Sequence, residues 1–268
     1  MVESPYLVTP GSKAKLSQWK TDDTGPFKSK EDAAGPTQKN LERLADLQEL
    51  LYAEVKHAIL VVFQAMDTGG KDGAIEFVFS GIDPQGCMVT QFKTPTPLEL
   101  AHDFLWRVHA GAPPKGMIGI FNRSHYESVL IERVKKLVPE KVWAPRYDHI
   151  NNFEKMLADE GTTIVKFFLH ISKEEQKRRL VARLNEPHKQ WKFNPGDLEE
   201  RKRWDAYQEA YEDALRRCSQ KHAPWYVVPA DRKWYRNWVL SDVLVRTLED
   251  LDMKYPKPAP GLEKIVVE

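Results

Sequence analysis

Residues 58 to 65 read AILVVFQA, apolar throughout except for Gln64, and they run without a break into MDTGGKDGA. A strand half open to water alternates apolar and polar residues. A continuous apolar run instead needs cover on both faces, which a parallel sheet wrapped by crossover helices provides. Four more such runs follow, MVTQF, GMIGIF, TTIVKFFLHI and WYVVPA, separated by stretches of helical character. Strands alternating with helices predict an α/β chain: a three-layer α/β/α sandwich around a five-stranded parallel sheet. Ahead of the first run, Leu41, Leu44, Leu47, Leu51 and Val55 recur at three- and four-residue steps. That spacing predicts an amphipathic helix over residues 37 to 57.

At 268 residues and 41% hydrophobic content the chain can bury one full core. Residues 36 to 255 are expected to form a single domain, and residues 256 to 268 a tail. Residues 1 to 35, rich in Pro, Gly, Lys and Asp, read as an arm lying on the surface or on a partner subunit. Residues 197 to 223 read as one long charged helix. Residues 232 to 255 read as a final helix with Trp234, Trp238 and Leu248 available for packing. Cys87 and Cys218 have no metal-ligand spacing and fit a reducing compartment. No run approaches the roughly 18 apolar residues of a membrane span, and the N-terminus lacks a secretory apolar core, so a soluble cytoplasmic protein without membrane contact is expected. Lys and Arg total 40 against 39 Asp and Glu. This balance argues against nucleic-acid coating, which needs a broad positive excess.

Any anion site must therefore be local, and the end of the first strand offers one. A Gly-rich turn between a buried strand and a helix aims several backbone N–H groups at one point, where the helix dipole adds positive potential. Gly69, Gly70 and Gly73 frame Lys71, which is placed to reach a terminal phosphate as the Lys of G-x-x-x-x-G-K-[S/T] does. Two positions depart from that pattern: Ala65 replaces the first Gly, and Asp72 the hydroxyl residue. A carboxylate beside a polyanion repels it unless a cation intervenes, so Asp67 and Asp72 both point to bound Mg²⁺, or Mn²⁺ in its place. The chemistry indicated is phosphoryl transfer, in which positioning and charge neutralisation dominate.

Asn122 and Arg123 stand where the third strand ends, in IFNRSHYES, and face the turn if strands one and three are neighbours. Arg123 suits bidentate phosphate binding, against the alternative of a helix-start ion pair. Asn122 offers a neutral oxygen, and Glu127 a carboxylate for metal or acceptor. His125 is read as a packing residue, because a phosphate acceptor is already ionised and needs no base. Between residues 173 and 192, Lys173, Lys177, Arg178, Arg179, Arg183, Lys189 and Lys192 outnumber Glu174, Glu175 and Glu186. Such a run is commonly a solvated helix face. Here it leads into PHKQWKFNPG, where prolines and a glycine interrupt the helical pattern, as expected of a lid over residues 175 to 200.

QAMDTGGKDGAI, FNRSHYE, DEGTTIVKFFLHISKEEQ, WKF and APWYVVPADRKWYRNW together resemble the polyphosphate kinase 2 family, P-loop kinases related in design to thymidylate kinase, from about residue 41 to 255. The form AMD with GGKDG and NRSHYE is most similar to its class III branch, which acts on both AMP and ADP. The resemblance implies a three-layer α/β/α fold with a helical lid, inorganic polyphosphate as donor, Mg²⁺, ATP as product, and a homo-oligomer, dimer or tetramer. It implies Asp67, Lys71 and Arg123 as catalytic groups, Asp67 also holding the metal, with Gly69, Gly70, Lys71, Asp72 and Gly73 binding phosphates. Arg178, Arg183, Lys189 and Lys192 would track the polyphosphate from the lid, and Asn122 and Glu127 would serve nucleotide or metal. Many members carry Asp where Asn122 stands, and those with Asn often read Glu-Asp where this chain has Glu127 and Ser128. Two other readings stay open: a nucleoside monophosphate kinase using ATP as donor, and a non-catalytic polyanion-binding module.

Overall fold

The computed structural model describes residues 1–267. The five apolar runs form β1 (Ala58–Ala65), β2 (Cys87–Gln91), β3 (Ile118–Asn122), β4 (Thr162–His170) and β5 (Trp225–Pro229). All pairings are parallel, in the order β2-β3-β1-β4-β5. Every residue of β1, β3 and β5 is buried, the outcome that continuous apolar runs require.

Helices α1 (Lys30–Glu54) and α2 (Lys71–Val78) bracket β1, and the short α3 (Pro97–Leu100) and α4 (Trp106–Ala110) join β2 to β3. Between β3 and β4 lie α5 (Ile131–Val134), α6 (Glu140–Trp143) and α7 (Arg146–Asp159). Between β4 and β5 lie α8 (Lys173–Asn185), α9 (Gly196–Lys202) and α10 (Trp204–Cys218), and α11 (Lys233–Glu249) follows β5. Helices α1, α2 and α11 pack together, while α7 packs on β4 with α10 against it, so helices flank the sheet. Leu44, Leu47 and Leu51 of α1 are buried as their spacing predicts, whereas Val55, the last of the series, lies past the helix end as its left-handed cap and is exposed; Leu248 of α11 is buried with Trp234 and Trp238 packed beside the core. Among the described residues no helix is long and apolar enough to cross a membrane.

Other sequence expectations change as well. Helix α11 ends at Glu249, short of residue 255. Helix α1 begins at Lys30, not at residue 37: Ser29 accepts from the Asp32 amide while Asp32 accepts from the Ser29 amide, a capping box that starts the helix ahead of its apolar stripe. The arm packs on its own chain, burying Val2, Tyr6, Val8, Ala14 and Leu16. Its Val8 amide donates to the Trp225 carbonyl at 2.9 Å and the Val227 amide to that of Tyr6 at 2.8 Å, covering the otherwise open edge of β5. Residues 197 to 223 form two helices, broken at Arg203, where Trp204 turns inward.

In this topology β2 and β3 lie to one side of β1, and β4 and β5 to the other. Open α/β sheets bind ligands beyond the strand ends at such a switch point. The register Phe63↔Asn122 and Gln64↔Phe168 brings the ends of β1, β3 and β4 level there.

Candidate active site

The Gly-Gly-Lys turn leaves β1 and opens α2, with Gly70 as the residue before the first helical turn at φ +94°. A side chain is strained at that angle, and a Cβ on Gly70 would stand 2.7 Å from Nη1 of Arg236. The preceding Thr68 also adopts positive φ, at +60°, so the backbone is bent hard just where it rounds the strand end. The first amides of α2 have no intrahelical acceptors and face a ligand by default.

Side chains from α8 and α11 hold the carbonyls of the turn. Gln176 donates to the Asp67 carbonyl at 2.9 Å, and Arg179 Nη1 to those of Thr68 at 3.1 Å and Gly69 at 2.9 Å. From α11, Arg236 donates to the carbonyls of Gly70 at 3.1 Å and Gly73 at 3.3 Å. With these carbonyls occupied, the turn borders an open cleft of about 1130 Å³.

Lys71, Lys93, Arg123, Arg179, Arg183, Lys189, Lys192, Lys233 and Arg236 line this cleft against Asp67, Asp72 and Asp197. A chain of net charge +1 thus carries a local excess of nine basic side chains over three acids in this cleft. Lys71 Nζ donates to the Ala65 carbonyl at 3.3 Å. Burial, followed by the nearby Arg123, lowers the pKa of its ammonium, against the pull of Asp67, Glu127 and Asp72. A bound phosphate would reverse that bias by supplying negative charge.

Asp67 and Arg123 meet across the strand ends, Oδ1 to Nη2 at 3.6 Å, with side chains 28% and 43% exposed. Arg123 adopts φ +62°, and its amide donates to the Phe63 carbonyl at 3.1 Å, which fixes the chain as it leaves β3. Asn122 Nδ2 donates to Asp72 Oδ1 at 2.7 Å. Glu127 lies beside Arg123 and Lys71; burial raises the pKa of its carboxyl, and those two cations oppose the rise. Among the described residues no cluster of three or more His, Cys, Asp or Glu side chains could hold a metal by itself. The acids that line the cleft are Asp67, Asp72 and Asp197, and Asn122 adds a neutral oxygen.

The lid supplies a distinct set. Arg183, Lys189 and Lys192 line the cleft. Arg183 pairs with Asp197 at 3.1 Å and donates to the Lys192 carbonyl at 3.1 Å, Lys189 pairs with Glu186, and Lys192 lies 4.9 Å from the Trp191 ring centroid. Arg178 does not join them: its side chain is 74% exposed, pairs with Glu175 at 2.6 Å, and does not line the cleft. The neighbouring Arg179 takes the inward face of α8 instead. Arg236, Lys233, Lys93 and Asp197 escaped sequence reasoning, although Arg236 left a trace as a charge inside the apolar face of α11.

His125 is buried, with Nε2 3.0 Å from Glu154 Oε1. Its pKa is lowered by burial, more than Glu154 can raise it. It serves the packing beneath the wall, as expected.

A family model described as Polyphosphate kinase 2 (PPK2) matches residues 27–256. An AMP/ADP-polyphosphate phosphotransferase of Meiothermus ruber is 58% identical over 264 residues, covering 98% of this chain and 99% of that one. An ADP-polyphosphate phosphotransferase of Rhodopseudomonas palustris is 47% identical over 275 residues, covering 98% and 95%. The crystal structure of polyphosphate kinase 2 from Arthrobacter aurescens TC1 superposes with a TM-score of 0.93 at 42% identity, covering 98% of this chain and 95% of that one.

Proposed function

Because this chain belongs to the polyphosphate kinase 2 family, we propose that it transfers the terminal phosphoryl group of inorganic polyphosphate to ADP, making ATP, and to AMP, making ADP. The observation that carries this reading is the cleft itself: a long basic groove on a chain of net charge +1 suits a linear polyanion that has no base to recognise. The names of the Meiothermus and Rhodopseudomonas relatives support the same donor and acceptors.

In the transfer an oxygen of the acceptor's terminal phosphate forms a bond to the donor's terminal phosphorus. The bond from that phosphorus to the bridging oxygen breaks, and the shortened polyphosphate leaves with the electron pair. The acceptor oxygen is already ionised, so no side chain need remove a proton. The α2 amides and Lys71 bind the non-bridging oxygens, and Arg123, facing Asp67 across the strand ends, holds the moving group in line. Lys189 and Lys192 bind the donor chain from the lid and help exclude water. Asp67, with Asp72 and Asn122 beside it, would hold Mg²⁺. Such a small oxygen set fits a cation that commonly takes one or two carboxylates and completes its shell with phosphates and water. Bound there, the metal would neutralise charge on the phosphates.

The test is ATP formation by the purified protein from ADP, polyphosphate and Mg²⁺, followed by luciferase, with AMP as a second acceptor. A folded protein that makes no ATP under these conditions overturns the reading. Phosphorylation of AMP by ATP with no use of polyphosphate would establish the nucleoside monophosphate kinase instead.

A further inference from the structure

Arg236 reaches the site from α11, on a helix face where Tyr235, Val239, Leu240 and Val243 are all buried. The residue is 2% exposed, yet its guanidinium borders the cleft. All its hydrogen-bond partners are neutral. Nε and Nη2 donate to Asn237 Oδ1 at 3.0 and 2.6 Å, and Nη1 and Nη2 to the carbonyls of Gly70 and Gly73 at 3.1 and 3.3 Å. The other arginines around the loop have acids: Arg179 pairs with Glu175, Arg123 with Asp67 and Arg183 with Asp197. Among the described residues no carboxylate pairs with Arg236, and the charged neighbour that acts on it is another cation, Arg179.

Burying a guanidinium without a counter-ion carries a heavy desolvation penalty. Bracing two carbonyls needs N–H donors, and a neutral amide side chain would provide them. The charge calls for an anion, and the cleft that the guanidinium borders leaves room for one.

We propose that Arg236 is a fixed counter-charge of the donor site: it lies beneath the Gly-Gly-Lys turn, and polyphosphate bound above that turn supplies the anion its guanidinium lacks within the protein. The inference rests on the reading of polyphosphate as donor. Burial, with Arg179 second, draws the Arg236 pKa down to about 9, which leaves the group charged at neutral pH. It is a positioning residue, acting across the loop rather than on the reacting atoms. It holds the carbonyls of Gly70 and Gly73 away from the cleft and adds a charge that no solvent relaxation need supply.

The test compares Arg236→Gln, which keeps donors and loses charge, with Arg236→Lys, which keeps charge and loses the planar fork. KM is measured for polyphosphate and for ADP, and binding of tripolyphosphate alone by calorimetry. The Gln protein is expected to raise KM for polyphosphate, and Kd for tripolyphosphate, by about tenfold or more while KM for ADP moves less than about twofold. Its melting temperature without ligand is expected to hold or rise, because an unpaired buried charge has gone. The Lys protein should stay within about threefold of wild type for polyphosphate. Equal losses for both substrates, or equal losses in the Gln and Lys proteins, would make Arg236 a brace for the loop and overturn the inference. Should the Gln protein not fold, the Lys protein decides: retained tripolyphosphate affinity supports the charge, and a tenfold loss refutes it. Wild-type protein in the same assay separates this failure from that of the donor assignment, since without ATP from wild type the activity itself is misassigned.

Discussion

Replacing Lys166 by Met would strand a carboxylate where water cannot reach it. Lys166 stands in β4 among apolar residues, and its side chain and that of Glu154 are both 0% exposed. Its Nζ donates to Glu154 Oε2 at 2.5 Å, to the Tyr126 hydroxyl at 2.8 Å and to the Cys218 carbonyl at 2.8 Å, which uses all three protons. Burial, the largest influence on Glu154, would raise its pKa, but Lys166 and His125 together hold it below the ordinary value. Met fills similar volume and removes the cation, leaving Glu154 with the Tyr126 hydroxyl and the His125 ring, each 3.0 Å from Oε1. Breaking a buried pair on one side costs about 3–5 kcal/mol. In a chain of this size each kcal/mol moves Tm by about 2–4 °C, so the expected drop is roughly 6–20 °C. Urea unfolding followed by far-ultraviolet circular dichroism reads the loss, and Lys166→Met with Glu154→Gln closes a double-mutant cycle. The double variant should recover a large part of it, since both charges have gone. A single-variant loss under about 1 kcal/mol, the range of exposed pairs, or a double variant no more stable than the single, would refute this account.

Lys71→Ala and Asp67→Asn should each lower kcat by at least about 100-fold in the luciferase assay, and a loss below about tenfold would remove that residue from the charge-stabilising set. Gly70→Ala should cost about 1–3 kcal/mol in urea unfolding, because φ there is +94° and the new Cβ meets Arg236; Gly73→Ala, with open space around its Cβ, should cost much less. His170 is driven by burial from 6.5 to about 4. As pH falls the unfolded chain takes this proton first, so roughly 3 kcal/mol of stability present above pH 6.5 is lost on the way to pH 4; His170→Gln should flatten the slope of Tm against pH over that window. Lys189→Ala with Lys192→Ala should raise KM for polyphosphate more than for ADP, and equal changes would take the lid out of donor binding.

The sheet was readable because its information is local: a run such as AILVVFQA states its own burial, and the glycines after it state the turn. The start of α1 was not, because KEDAAGP carries no apolar period and its glycine and proline look like a break; the capping box at Ser29 decides the matter. The arm misled for a related reason. Val2, Tyr6, Val8 and Leu16 are too scattered to suggest a core face, and they find one because β5 offers an unpaired edge. In the lid, composition reported the charge but not its direction, so Arg178 and Arg179 looked equivalent until α8 fixed which of them faces inward. Arg236 was beyond local reading altogether, since the carbonyl it holds, that of Gly70, lies 166 residues away in sequence.

The departures of the turn from a hydroxyl-bearing P-loop become coherent once Asp72 and Asn122 are seen together. Asp72 stands where a Ser or Thr would accept and donate, and its Oδ1 takes a hydrogen bond from Asn122 Nδ2 at 2.7 Å. An Asp at 122, as many family members have, would set two carboxylates at that separation, and like charges so close cannot both ionise without a cation between them. Here the amide satisfies Asp72 directly, and the end of β3 is coupled to the first turn of α2 through a neutral donor. Asp67 is free of that arrangement and faces Arg123 instead. The two carboxylates of the turn are therefore held differently: Asp72 by a neutral amide at 2.7 Å, and Asp67 by the more distant Arg123 cation at 3.6 Å, so Asp67 is the one a cation proposed for this site would reach with less to displace.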